Sequence, residues 1–225
     1  MAKRRDEPRA SRWLLQAVAL ALLGLAPLVA TREPVALVAW FALVAPGAGV
    51  LAGAARLPAW PWAPVVPALW MAALALATAD GARVVPTPAF AAGVWSGLYL
   101  AGFGAGRIAG PSGPRLAAAV TLALAALVGV PIGLGLCDAP LPPEWTARVM
   151  RLSPLTWTLE AASVDWLRHA AFYERAHAFD LGPELIGRPR PALAGGLALV
   201  LGCLAAWVGI RVSRAGSTDP APARS

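Results

Sequence analysis

Charge is what this chain has least of. Only 14% of its 225 residues are Asp, Glu, Lys or Arg, whereas 58% are hydrophobic, and an ordinary soluble domain carries about a quarter charged residues. Too few polar side chains remain to cover a water-facing surface, so most of the chain has lipid as its solvent. Lysine, isoleucine and asparagine are scarce too, which matches translation of a GC-rich gene and excludes nothing.

Other shortages are more selective. Two cysteines, Cys137 and Cys203, exclude a disulfide framework, and Cys203, in the middle of an apolar run, is expected to behave as a small buried hydrophobe. Two histidines, His169 and His177, match no dense metal-ligand spacing. No GxxxxGK[ST] run occurs, so the chain has no P-loop of its own. The apolar runs hold almost no ionisable residue, since Asp80, Arg83 and Arg107 stand at their edges. A carrier driven by protons or ions usually needs a carboxylate near mid-membrane, so the chain does not read as a secondary transporter working alone.

What is present is a series of apolar runs of about 20 residues, the length a helix needs to satisfy its backbone across hydrocarbon. Six qualify: Trp13 to Ala30, Pro34 to Gly53, Pro64 to Ala79, Ala89 to Arg107, Leu116 to Leu136 and Pro191 to Val212. The first resembles a signal peptide, with its basic start and Ala30. The next run begins at Pro34, so cleavage would leave almost no soluble amino terminus, and the first run is read as a span. The predicted fold is therefore an all-α polytopic membrane protein of about six transmembrane helices. Residues 1–12 form a basic tail, 13–136 five spans, 137–190 a long loop, 191–212 the sixth span and 213–225 a disordered tail.

Basic residues set the orientation, because Lys and Arg stay on the cytoplasmic side. Lys3, Arg4, Arg5, Arg9, Arg12, Arg56, Arg107, Arg115, Arg211, Arg214 and Arg224 fall on one side, against Arg32 and Arg83 in the opposite short loops. Both termini are thus expected inside and the loop Cys137 to Arg190 outside. The net charge of +7 is explained by topology; no basic stripe interleaved with aromatics points to nucleic acid.

Several short motifs dissolve in context. Gly102, Gly104 and Gly106 loosely imitate a dinucleotide-binding pattern but end a span with no preceding strand. The run Gly110, Pro111, Ser112, Gly113 looks like the GxSG nucleophile motif of rhomboid proteases, yet both histidines lie in the loop across the membrane, so it reads as a tight turn. The pairs Gly49/Gly53, Gly93/Gly97 and Gly129/Gly133 suit close helix packing without defining a dimer face.

The long loop carries the most information. From Pro140 to His169 it reads PLPPEWTARVMRLSPLTWTLEAASVDWLRH. Ser153 can cap a helix and Pro154 suits its first position. Leu155, Leu159, Ala162 and Trp166 recur at helical spacing, with Glu160, Asp165, Arg168 and His169 free to turn to water, which predicts a short amphipathic helix on the membrane surface. Pro143, Glu144 and Trp145, then Ser153, Pro154, Leu155, Thr156, Trp157 and Glu160, resemble the segment before the last span of type-2 ATP-binding-cassette permeases. Ser153 stands where that family usually has Asn, and Arg168 comes later than its usual arginine.

The resemblance implies a permease subunit of an exporter in a bacterial cytoplasmic (inner) membrane, paired with a second permease subunit as homo- or heterodimer and driven by a separate cytoplasmic ATPase. It implies that Ser153 to Glu160 form an outer gate and that the brief loop holding Arg56, Trp60 and Trp62 meets the ATPase. No residue is set up for bond chemistry and no cofactor is implied. A polytopic scaffold or accessory subunit whose outer loop binds a partner is the alternative.

Overall fold

The computed structural model describes residues 34–57, 67–72, 74, 87–136, 142–164 and 190–215, and every regular element among them is helical. The helices are α1 (Pro34–Ala54), α2 (Pro88–Ala109), α3 (Gly113–Leu136), α4 (Pro143–Leu152), α5 (Pro154–Ala161) and α6 (Pro191–Ala215), with a 3-10 turn at Gly110–Ser112 between α2 and α3. Residues 67–72 and 74 are also helical. Proline stands first in five of the six helices, a position whose N–H has no intrahelical acceptor in any case. By length and composition, two helices could each cross a membrane, Val35–Ala54 and Pro191–Ala215.

α1, α2, α3 and α6 coincide with four of the six expected spans. Trp13 to Ala30 lies outside the described residues, and of Pro64 to Ala79 only 67–72 and 74 are described. Two boundaries move: α3 begins at Gly113 and α6 runs on to Ala215, so Ser213 to Ala215 are helical and not part of a disordered tail.

The seams between helices fix their directions. α1 and α2 touch where Pro46 meets Gly102 and Val50 meets Gly106, and again where Gly49 meets Tyr99 and Gly53 meets Phe103. The two numbers rise together, so the helices are parallel. α2 and α6 are parallel by the same test, with Gly97 against Ala198 and Gly104 against Ala205. α3 runs the other way, since Gly113 meets Ala54 whereas Thr121 meets Gly47. A Cβ at Gly102 or Gly106 would overlap a carbonyl of α1. Lipid tails are as apolar as leucine, so helices in lipid gain mainly from such close van der Waals approach.

Beside the α1–α2 seam lies an aromatic core. Phe41 stacks on Trp70 with centroids 5.1 Å apart, and both rings meet Trp95 edge-on at 5.0 and 6.0 Å. Leu155 and Leu159 of α5 join this core. α6, by contrast, leaves Leu193, Val200, Leu201, Leu204, Trp207 and Val212 uncovered. Cys203, expected to be buried, is exposed on the same helix, because α6 has a neighbour on only part of its circumference.

The predicted surface helix is corrected. α5 ends at Ala161, and its Leu155, Thr156, Thr158, Leu159, Glu160 and Ala161 are all buried. It is inserted among α1, α2 and α6, so Glu160 does not turn to water. Trp166, Arg168 and His169 lie outside the described residues. α4 was not anticipated, although Pro143 at the first position and Glu144 in the first turn are ordinary helix-start signals.

Candidate functional site: the inserted hairpin and the arginine end

α4 and α5 form a helical hairpin with Ser153 at its bend. Ser153 has the extended backbone of a cap residue, and Pro154 follows at the first helical position, yet the serine hydroxyl makes no capping hydrogen bond. α5 ends in a Schellman motif: Ser163 takes φ of 55°, its N–H donates to Glu160 O at 3.0 Å, and the Val164 N–H donates to Leu159 O at 3.0 Å.

That end is fastened to the start of α2. The Thr87 hydroxyl donates to Ala161 O at 2.7 Å and shares a 2.7 Å hydrogen bond with the Ser163 hydroxyl, while the Thr87 N–H reaches Ala162 O at 3.2 Å. Thr87 occupies the cap position of α2 but spends its oxygen on the hairpin instead. From this anchor, eight residues at 1.5 Å each carry the Ser153 bend about 12 Å along α5. There Leu152, Pro154 and Trp157 border a cavity of about 400 Å³ with Leu98 and Ala101 of α2 and Leu201 of α6.

Ser153, Pro154, Leu155, Thr156, Trp157 and Glu160 are therefore gathered in one inserted element. Ser153, Leu155, Thr156 and Glu160 are buried, while Pro154 and Trp157 are half-buried. The first part of the motif does not join them: Glu144 and Trp145 are exposed on α4, where the Arg148 guanidinium lies 5.1 Å from the Trp145 ring. Sequence reasoning missed three polar atoms in the bundle. Trp95 Nε1, Tyr99 OH and Ser153 Oγ are buried and have no hydrogen-bond partner. Trp95 and Tyr99 share one face of α2, one turn apart. A buried donor without a partner costs about 1–3 kcal/mol. Among the described residues, no three His, Cys, Asp or Glu side chains cluster as metal ligands.

The opposite end is basic. Arg56 follows α1 with φ of 55°, in a second Schellman motif closed by Arg56 N–H to Gly53 O at 3.0 Å and Leu57 N–H to Ala52 O at 3.2 Å. A side chain in this left-handed conformation costs about 1–2 kcal/mol. Arg107 on α2 and Arg214 on α6 share this end, and the charges of Arg56 and Arg214 both act on Arg107. The Nε of Arg107 is buried without a partner. Arg56 is thus remote from the hairpin, and Trp60 and Trp62 lie outside the described residues. Ser112 is exposed in the 3-10 turn at this same end, as expected for a tight turn.

Among protein-family models, curated proteins and solved structures, none matches this chain.

Proposed function

We propose that the chain is the membrane-spanning permease subunit of a type-2 ATP-binding-cassette exporter, crossing the bilayer six times and driven by a separate ATPase. The observation that carries this reading is the insertion of the Ser-Pro-Leu-Thr-Trp helix between α1, α2 and α6 from the end opposite the arginines. This insertion supports the reading because the segment resembles the family's outer gate.

Six spans are supported by the helix directions. α1, α2 and α6 run parallel and α3 antiparallel, as the second, fourth, sixth and fifth spans must when both termini are inside. Short connections make antiparallel neighbours, so parallel neighbours call for an intervening return crossing. The arginines then fall on the cytoplasmic side in accord with the positive-inside rule.

In this reading ATP binding closes the ATPase dimer and shifts the permease helices through the region around Arg56. The hairpin opens outward as α5 parts from α2 and α6. The test is purification of the full chain from its native membrane. A P-loop ATPase should co-purify, and its ATP hydrolysis should rise when the chain is added back in vesicles. If neither occurs, the permease reading fails and the accessory-subunit reading takes its place.

A further inference from the structure

We infer that the cavity bounded by α2, α6 and the inserted hairpin is a binding site for one acyl chain, held at mid-depth in the bilayer.

The cavity arises where small residues face one another beside a tight seam. Gly97 of α2 lies against Ala198 and Gly202 of α6, which draws the two backbones together, while Ala101 and Ala205 are too short to fill the space beside them. The hairpin closes another side with Leu152, Pro154 and Trp157. No residue that borders the cavity is charged, and Trp157 alone among them has a polar side-chain atom. Such walls offer a polar solute nothing to replace the water it would leave behind.

Size and depth select the occupant. An apolar cavity of roughly 150 Å³ stays dry and takes one benzene. In proportion, a volume of about 400 Å³ takes about 16 carbons, which is one acyl chain and not the two of a whole phospholipid. The cavity runs from Val94 to Ala101 on α2 and from Ala198 to Ala205 on α6. At 1.5 Å per residue, these stretches lie about 10–20 Å from the start of each helix, in the middle of a hydrocarbon layer about 30 Å thick. Headgroups and water do not reach that depth. Leu152 and Leu201 border the cavity and are themselves uncovered, so it opens beside the uncovered face of α6, where a chain can enter from the bilayer. Left empty, the walls would forfeit dispersion contacts, which are most of what holds helices together in lipid.

The inference requires the bundle to cross a bilayer but no ATPase, so it can fail while the exporter reading stands, and the reverse. The test uses the full chain in phosphatidylcholine vesicles that contain a trace of phosphatidylcholine with a diazirine near the end of one acyl chain. After irradiation, mass spectrometry should find label concentrated on the segments that hold Leu98, Ala101 and Trp157, above that on Leu193 and Leu204 of the uncovered face of α6. Ala101→Trp, which fills the cavity, should lose most of the label in these segments. Ala101→Leu, a smaller intrusion, should lose part of it and covers the case in which the larger ring is not tolerated. Leu204→Trp adds the same ring outside the cavity and should keep the full label.

A second arm replaces the labelled phospholipid with palmitic acid that carries the same diazirine. Concentrated label from the phospholipid supports the site with a bilayer lipid as its source, and label from palmitic acid alone supports it with a free fatty acid. Label spread evenly over the lipid-facing helices in both arms would overturn the site, because it would mean ordinary contact with the bilayer. Label that stays undiminished in both Ala101→Leu and Ala101→Trp, or that falls equally in Leu204→Trp, would overturn it as well.

Discussion

α2 and α6 are similar in length, both begin at proline, both are rich in glycine, and they run side by side in the same direction. One is enclosed and the other is covered on a single side. The arrangement of their glycines makes the difference. On α2, Gly102 and Gly106 meet α1, while Gly97 and Gly104 meet α6, so two faces are flattened for neighbours. On α6, Gly195, Gly202 and Gly209 fall at intervals of seven along the one seam with α2. In lipid, where apolarity does not distinguish inside from outside, the faces that carry small residues indicate how many neighbours a helix has.

That contrast can be broken most severely at Gly102. Gly102→Leu drives a side chain into the Pro46 carbonyl of a helix held on both sides, and the destabilisation should be at least about 3 kcal/mol, read as loss of folded, monodisperse protein in detergent. Gly209→Leu meets the Gly104 carbonyl in the same way. α6 can shift toward its uncovered side, however, so the cost should be about 1–3 kcal/mol and appear as a lowered Tm. Thr87→Val removes both hydroxyl contacts that fasten the hairpin to α2, and the expected loss is about 1–2 kcal/mol, with faster hydrogen exchange confined to residues 154–164. Leu204→Ala, on the uncovered face of α6, should change the Tm of the isolated subunit by less than about 0.5 kcal/mol in equivalent stability. A larger change would mean that a second subunit covers this face, which would sharpen the comparison by closing the side of α6 that α2 and α5 leave open.

Much of the helix layout was legible because a 20-residue apolar run has few structures open to it. The runs from Pro34, Ala89, Leu116 and Pro191 each correspond to a helix within a few residues. The inserted hairpin was misread because α5 has the helical spacing of a surface helix: Leu155 and Leu159 do face the core, as the pattern required, but periodicity cannot tell that Glu160 on the other side is enclosed by α1, α2 and α6 as well. The Ser153 and Pro154 helix start was readable, whereas the lack of a capping bond was not, since it depends on where the bend is held. Thr87 gave a local hint by standing before Pro88, but its partners are more than 70 residues away. The arginine cluster was visible only as a count for topology. Its convergence follows from the glycine seams, which set the register of α1, α2 and α6 and place Arg56 and Arg214 beside Arg107.

The permease reading depends on the orientation of the bundle, and two single cysteines test it directly. In a background with Cys137 and Cys203 replaced by Ser, Arg56→Cys and Ser163→Cys are labelled in sealed, right-side-out cells with a membrane-impermeant maleimide. Labelling of residue 163 in intact cells, with residue 56 labelled only after the membrane is opened, is the predicted result. Labelling of both positions from the same side would contradict the membrane-crossing bundle.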